Sequence, residues 1–147
     1  MDELTPPHLE AEFAAYVDAA IREELSRIEE YYLARAGQGF WVADEDGVIG
    51  MVGVERHAER AAELRRMAVA APHRRRGLGR QLLHTAEAFG RDCGYASMVL
   101  STSELQVPAM KLYESSGYRR VRAEVAQSAS HKTPGAGLTR FWFEKSL

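Results

Sequence analysis

A single cysteine, Cys93, stands in the 147 residues, so no disulfide can close within the chain. Apolar runs are short, and none approaches the ~20 residues that a helix needs to cross a bilayer. Met1 to Glu10 holds acids and prolines where a secretory signal needs a basic start and an apolar centre. The cytoplasm is therefore the expected compartment, with no membrane partner. A large charge of either sign is also missing. Nineteen basic side chains face 21 acidic ones, for a formal net charge of −2, so no global field draws the protein to nucleic acid. Internal repeats and low-complexity segments are absent. The histidines His8, His57, His73, His84 and His131 show no ligand spacing, and no metal is expected.

What is present matches a soluble globular domain. The hydrophobic fraction is 46% and the charged fraction 27%, both near the average for such chains. A chain of this length makes about one domain, so residues 1–147 are read as a single unit. The charge is unevenly spread. The stretch from Glu10 to Glu30 is acidic, while Arg65, Arg66, Arg74, Arg75, Arg76 and Arg80 crowd the middle. A local basic site on a mildly acidic body points to a small anionic ligand.

Leu9, Phe13, Tyr16, Val17, Ala20, Ile21, Leu25, Ile28 and Tyr32 recur at helical spacing after Thr5-Pro6-Pro7. One long helix or two shorter ones fit equally, with Gly37 as the stop. Phe40–Ala43 and Val48–Val54 read as strands joined by Asp44-Glu45-Asp46-Gly47. Glu63–Val69 reads as a third strand, and an amphipathic helix follows with Leu78, Leu82, Leu83, Ala86 and Phe89 on one side and Gly94 as stop. Ala96–Leu100 is a short apolar strand. Pro108 starts another helix, stopped by Gly117, and strands near Tyr118–Val125 and Leu138–Glu144 finish the chain. The strand–helix–strand crossover demands a parallel pair, and the short connections demand antiparallel ones. The expectation is an α/β domain whose mixed, mostly antiparallel sheet carries helices on both faces. Ala126–Gly137 is read as a loop over the substrate side.

The segment from Pro72 to Arg80 joins a strand to a helix, and its residues suit a phosphate. A helix start leaves backbone N–H groups without partners and carries partial positive charge. Gly77 and Gly79 let an anion approach the backbone closely. The arginines add charge and bidentate donors. Two better-known phosphate loops do not fit. A dinucleotide fingerprint requires a third glycine where Leu82 stands, and no G-x-x-x-x-G-K-[ST] occurs.

Arg74-x-x-Gly77-x-Gly79, after a strand and a proline, resembles the acetyl-CoA signature of the GCN5-related N-acetyltransferase superfamily. Ala109-x-x-x-Tyr113-x-x-x-Gly117-Tyr118 resembles its second motif, a helix bearing a tyrosine and ending in Gly-aromatic. Leu100-Ser101-Thr102-Ser103 to Gln106, with Pro108-Ala109-Met110, is further similar to the camello-like branch. The resemblance spans about Phe40 to Tyr118. It implies the acyl-CoA N-acyltransferase fold and acetyl-CoA as co-substrate, with direct transfer to a primary amine of a small molecule, peptide or protein.

The same resemblance implies roles for individual residues. The backbone of Met67, Ala68 and Val69 would hold the pantetheine arm, one N–H polarising the thioester carbonyl. Arg74, Arg75, Arg76, Gly77, Leu78, Gly79 and Arg80 would bind the pyrophosphate, with Gln106 and Ala109 also against the cofactor. Tyr113 would protonate the departing thiolate, and Glu63 would serve as general base, directly or through water, with Glu55 as the alternative. A homodimer is compatible with folds of this kind. Two departures stand out: the family's usual first strand is missing, and Gln106 replaces an asparagine.

Plainer readings stay open beside these. Tyr113 suits a core aromatic, Glu63 suits a partner for Arg65 or Arg66, and Cys93 suits a buried small hydrophobe. Trp41 or Trp142 could line an acceptor pocket. Two other function classes also stand: a non-catalytic acyl-CoA-binding regulatory module, and a nucleic-acid binder using Arg74–Arg76 and Arg119–Arg122.

Overall fold

A computed structural model describes residues 28–45, 48–70, 77–126 and 138–147. The expectations for the first helical region before Ile28, for His73 to Arg76 and for the Gln127–Gly137 part of the loop lie outside the described residues. The described elements are β1 (Gly39–Asp44), β2 (Val48–Ala58), β3 (Ala61–Val69), α1 (Leu78–Asp92), β4 (Ser97–Ser103), α2 (Val107–Ser115), β5 (Arg119–Ala126) and β6 (Leu138–Ser146), with a π-helical turn at Glu29–Leu33 before them. Their order follows the sequence reading. The strands run somewhat further than the apolar runs mark them: β2 continues past Val54 through the polar Glu55-Arg56-His57, and β4 continues through Ser101–Ser103.

The strands form one sheet in the order β1-β2-β3-β4-β6-β5. β3 and β4 are the parallel pair that the crossover demands, and the other described pairs are antiparallel. Among the described residues no helix is long and apolar enough to cross a membrane.

Side-chain alternation sorts the sheet into two faces. On one lie Val52, Val54, Ala62, Leu64, Met98, Leu100 and Phe143, which join Leu82, Leu83, Ala86, Met110, Tyr113 and Tyr118 in the main core. Both α1 and α2 cover this face. Each fully buried leucine there stabilises the fold by about 1.5–3 kcal/mol. Gly50 makes the contact close, since a Cβ would meet Leu82 and Leu78 at 3.1 and 3.3 Å. On the opposite face Tyr32, fully buried, packs against Phe40 with ring centroids 5.2 Å apart and sits over Gly53. Helical structure thus touches both faces, though among the described residues the second face has only the turn Glu29–Leu33.

Both helices end in the same left-handed cap. Gly94 has φ +85°, its N–H bonds to the Arg91 carbonyl, and Tyr95 N–H reaches back to Gly90. Gly117 has φ +96°, its N–H bonds to Glu114, and Tyr118 N–H reaches back to Tyr113. Only glycine adopts that φ without cost. The second cap folds Tyr118 against Tyr113, with ring centroids 6.0 Å apart.

Two expectations change. The helical turn ends at Leu33, four residues short of Gly37; that glycine's φ of +76° serves a turn where a Cβ would collide with Tyr95 and Arg56. Cys93 is exposed, because it is the cap residue just past the end of α1, where the chain turns out of the helix.

Candidate active site

β3 and β4 pair over three residues: Ala61 with Ser97, Ala62 with Met98, and Glu63 with Val99. Beyond Glu63 the ladder stops, although β3 continues to Val69 and β4 to Ser103. The cause lies in β3. Its register to β2 jumps between Arg65 opposite Gly53 and Ala68 opposite Met51, and Arg66 takes a left-handed φ of 55°. That conformation costs a non-glycine residue of order 1–3 kcal/mol and persists only where its surroundings impose it. A bulge bends a strand away from its neighbour, and here it splits the sheet down the middle. Met67, Ala68 and Val69 lie on the β3 side of the split. Ser101 to Ser103 lie on the β4 side.

Both helices begin at the open end of this split, one from each strand. Gly77 caps the start of α1 with a φ of +81° that demands glycine, and among the described residues a Cβ there would meet nothing within 4 Å. Among the described residues no side chain caps the helix and no acid sits in its first turn. The first N–H groups therefore keep their partial positive charge. Gly79 has a different reason to be glycine: a Cβ would press on Leu112 of α2 at 3.2 Å. Arg80 spans the two helices, donating to the hydroxyls of Ser115 and Ser116 at 3.1 and 3.2 Å. Arg74, Arg75 and Arg76 lie outside the described residues. Arg65, counted with the basic cluster in the sequence, turns to the opposite face and is buried there.

On α2, Gln106 occupies the cap position without a capping side-chain bond, and Ala109 packs against the core. Tyr113 is buried among Tyr118, Phe143 and their neighbours, in a cluster whose margin includes Met67 and Val69. Among the described residues its hydroxyl has no hydrogen-bond partner. Burial pushes this phenol up to about 12, so it stays protonated at neutral pH. Tyr118 differs: its hydroxyl donates to Glu87 at 2.9 Å, and burial with the Glu87 charge pushes it up further. Lys145 completes that pair, 3.1 Å from the buried Glu87 carboxylate.

Glu63 lies on the face away from the helices, at the closed end of the split, with 1% of its side chain exposed. Arg65 Nη1 bonds to Glu55 at 2.7 Å, and its Nε lies 3.9 Å from Glu63. Nδ1 of His57 lies 3.3 Å from the other Glu63 oxygen. Across the sheet, Trp142 Nε1 donates to Glu124 at 3.2 Å, with Arg122 and Arg140 over the indole at 4.9 and 4.7 Å. Of the two tryptophans, Trp41 packs on Phe89 of α1 and belongs to the helix face. Trp142 shares the Glu63 face.

The split strands bring together the backbone of Met67 to Val69, Gly77 to Arg80, and the helix with Gln106, Ala109 and Tyr113. Glu63 and Glu55 share the opposite face. The sequence reading missed His57, the serines that hold Arg80, and Arg140. His57 had one readable signal. That signal is misleading, however: counting back from the turn at Glu59-Arg60 puts Arg56 opposite Glu63, and only the register shift between Arg56 and Ala58 brings Glu55 there, with His57 at the shift.

Acyl-CoA has a long flexible arm with amide groups, a pyrophosphate and a thioester. The described residues fit each part: strand backbone along a split sheet, a helix start that none of them caps or crowds at Gly77, and a buried phenol that none of them partners. Among the described residues no group of three His, Cys, Asp or Glu could hold a metal ion.

Residues 4–118 match the model of the acetyltransferase (GNAT) family. Human N-acetyltransferase 8B is 39% identical over 111 residues, covering 71% of this chain and 49% of that protein. Human N-acetylaspartate synthetase is 38% identical over 127 residues, covering 85% of this chain and 41% of that protein. Both are relatives of the camello-like kind that the Leu100–Met110 run resembles. The chain spans about half the length of the curated relatives it matches. Among solved structures, a GNAT family acetyltransferase from Elizabethkingia anophelis with acetyl-CoA bound superposes with a TM-score of 0.65 at 17% identity, covering 100% of this chain and 95% of that one.

Proposed function

The chain belongs to the acetyltransferase (GNAT) family, and on that premise we propose that it transfers the acetyl group of acetyl-CoA directly to a primary amine. The observation that carries this reading is the split between β3 and β4, flanked by a glycine-led helix start and a buried tyrosine without a partner among the described residues. Acetyl-CoA supplies an activated acyl group with a thiolate as leaving group. The backbone of Met67, Ala68 and Val69 aligns the arm and donates to the thioester carbonyl, where negative charge develops. Gly77, Leu78, Gly79 and Arg80, with Arg74, Arg75 and Arg76, take the pyrophosphate. Gln106 and Ala109 line the β4 side. Tyr113, protonated at neutral pH, gives the leaving sulfur its proton. Glu63 belongs to the machinery that deprotonates the amine.

The acceptor is a small molecule, peptide or protein amine. The similarity to N-acetylaspartate synthetase makes aspartate a rational first member of an amine panel. An exposed, unbridged Cys93 suits a reducing compartment such as the cytoplasm.

Thermal unfolding with acetyl-CoA, CoA, ATP and NADH separately, followed by CoA release across the panel, tests the reading. A ligand at about 100 times its Kd adds ~2.7 kcal/mol of stability. Stabilisation by acetyl-CoA and CoA alone, with amine-dependent CoA release, is expected. No shift with acetyl-CoA would sink the reading, and binding without turnover would favour a regulatory module.

A further inference from the structure

We infer that His57 is the group that takes the proton from the acceptor amine, with Glu63 as the carboxylate that orients it. This rests on the acetyltransferase reading above.

Glu63 is 1% exposed and cannot itself meet an acceptor without rearrangement, whereas the side chain of His57 is 41% exposed. The two are joined through Nδ1, 3.3 Å from Glu63 Oε1. An ionised carboxylate only accepts, so it holds the proton of the neutral imidazole on Nδ1. The lone pair then sits on Nε2, which has no partner among the described residues. That is the orienting logic by which a buried carboxylate makes a histidine into a base.

The placement is equally specific. In the strand order β2-β3-β4-β6, His57 and Trp142 come from the strands on either side of the β3–β4 pair. Their ring centroids lie 5.9 Å apart, so the two rings meet over that pair. Glu63 opposite Val99 is the last rung before the sheet splits. His57 is therefore at the closed end of the cleft, on the face opposite the helices.

Charged groups on this face include Glu55 and Arg65 on β2 and β3, Arg140 and Glu144 on β6, and Arg119, Arg122 and Glu124 on β5. Arg65 bonds to Glu55 at 2.7 Å and its Nε stands 3.9 Å from Glu63 Oε2, while His57 faces Glu63 Oε1 at 3.3 Å.

The amine arrives as an ammonium. Its first proton passes to Nε2 of His57, and the freed nitrogen lone pair bonds to the acetyl carbon. The carbon–sulfur bond breaks, and the thiolate takes the proton of Tyr113. The second nitrogen proton returns to that phenolate through solvent, and His57 releases its own to water. The products are the amide, the CoA thiol and one proton.

His57→Ala, tested with the amine of the panel that releases CoA fastest, should lose about 10²–10⁴-fold in kcat/KM. Its stabilisation by acetyl-CoA should be unchanged, because His57 lies away from the cofactor loop. Free imidazole should restore activity by at least an order of magnitude, a rescue that a merely structural histidine would not show. Proton–nitrogen NMR of the wild type, which needs no acceptor, should find the neutral His57 ring protonated on Nδ1. A variant rate within about 3-fold of wild type, a loss that imidazole does not relieve, or a ring protonated on Nε2 overturns the inference. If the wild type binds acetyl-CoA yet releases no CoA with any amine, the transferase reading fails instead, and the tautomer still decides the pair.

Discussion

Tyr113→Phe removes one oxygen from the middle of a packed cluster and separates catalysis from folding. The ring contacts with Tyr118 and Phe143 survive, because phenylalanine keeps the ring. Among the described residues no hydrogen bond is lost. A buried hydroxyl left unsatisfied costs about 1–3 kcal/mol, so the variant should be as stable as wild type or slightly more so. At about 1 kcal/mol the gain is a rise of roughly 3 °C in Tm for a domain of this size. Activity should move the other way. A hydrogen bond to a developing charge is worth about 1.5–3 kcal/mol, and general acids contribute ~10²–10⁴-fold, so a kcat loss near 10²-fold is expected. Released CoA thiol at saturating acetyl-CoA measures it, with thermal unfolding on the same samples. The hydroxyl also leaves a mark in alkali. The phenol ionises near 10 when unfolded and near 12 when folded. Between those values the unfolded chain binds fewer protons, so this contribution is whole below pH 10. It is lost as pH rises toward 12, on the order of 3 kcal/mol. The phenylalanine variant should lack that loss. A variant with full activity would refute the acid role and return Tyr113 to the core.

Gly77→Ala meets no neighbour among the described residues, so its cost is that of the left-handed φ, about 1–2 kcal/mol; a lower Tm and a smaller acetyl-CoA shift are expected, and an unchanged Tm would deny the φ argument. Arg65→Met removes the cation shared by the buried Glu55 and Glu63, and urea unfolding should show a loss of about 3–5 kcal/mol. A loss under 1 kcal/mol, on the same scale, would mean that the pair is well hydrated. Glu87→Leu strips Lys145 and the Tyr118 hydroxyl of their acceptor. Because Lys145 is 23% exposed and can turn to water, about 2–3 kcal/mol is expected by the same assay.

The helices and turns were legible because their causes are local. The leucines of α1 repeat at the helical period, and Gly94 and Gly117 mark caps that only glycine makes cheaply. The crossover between β3 and β4 follows from element order. The glycines near the cofactor loop were legible as residues but not in their reasons: Gly77 answers to its own φ, Gly79 to a leucine 33 positions away. Cys93 was misread because the cap residue after an amphipathic helix can face either way, and only packing decides.

By itself the sequence determined the family, the order of elements, the helix start and the tyrosine on the second helix, since each rests on neighbours along the chain. The tertiary structure decided which groups meet. The bond from Arg80 to Ser115 and Ser116 depends on how the two helices pack, while the bulge at Arg66 that parts β3 from β4 and the turning of Arg65 to the far face depend on strand register. So does the joining of His57 to Glu63 above the last rung. Register is set by the pairing of whole strands, and a shift of one residue would send each of these side chains to the other face of the sheet.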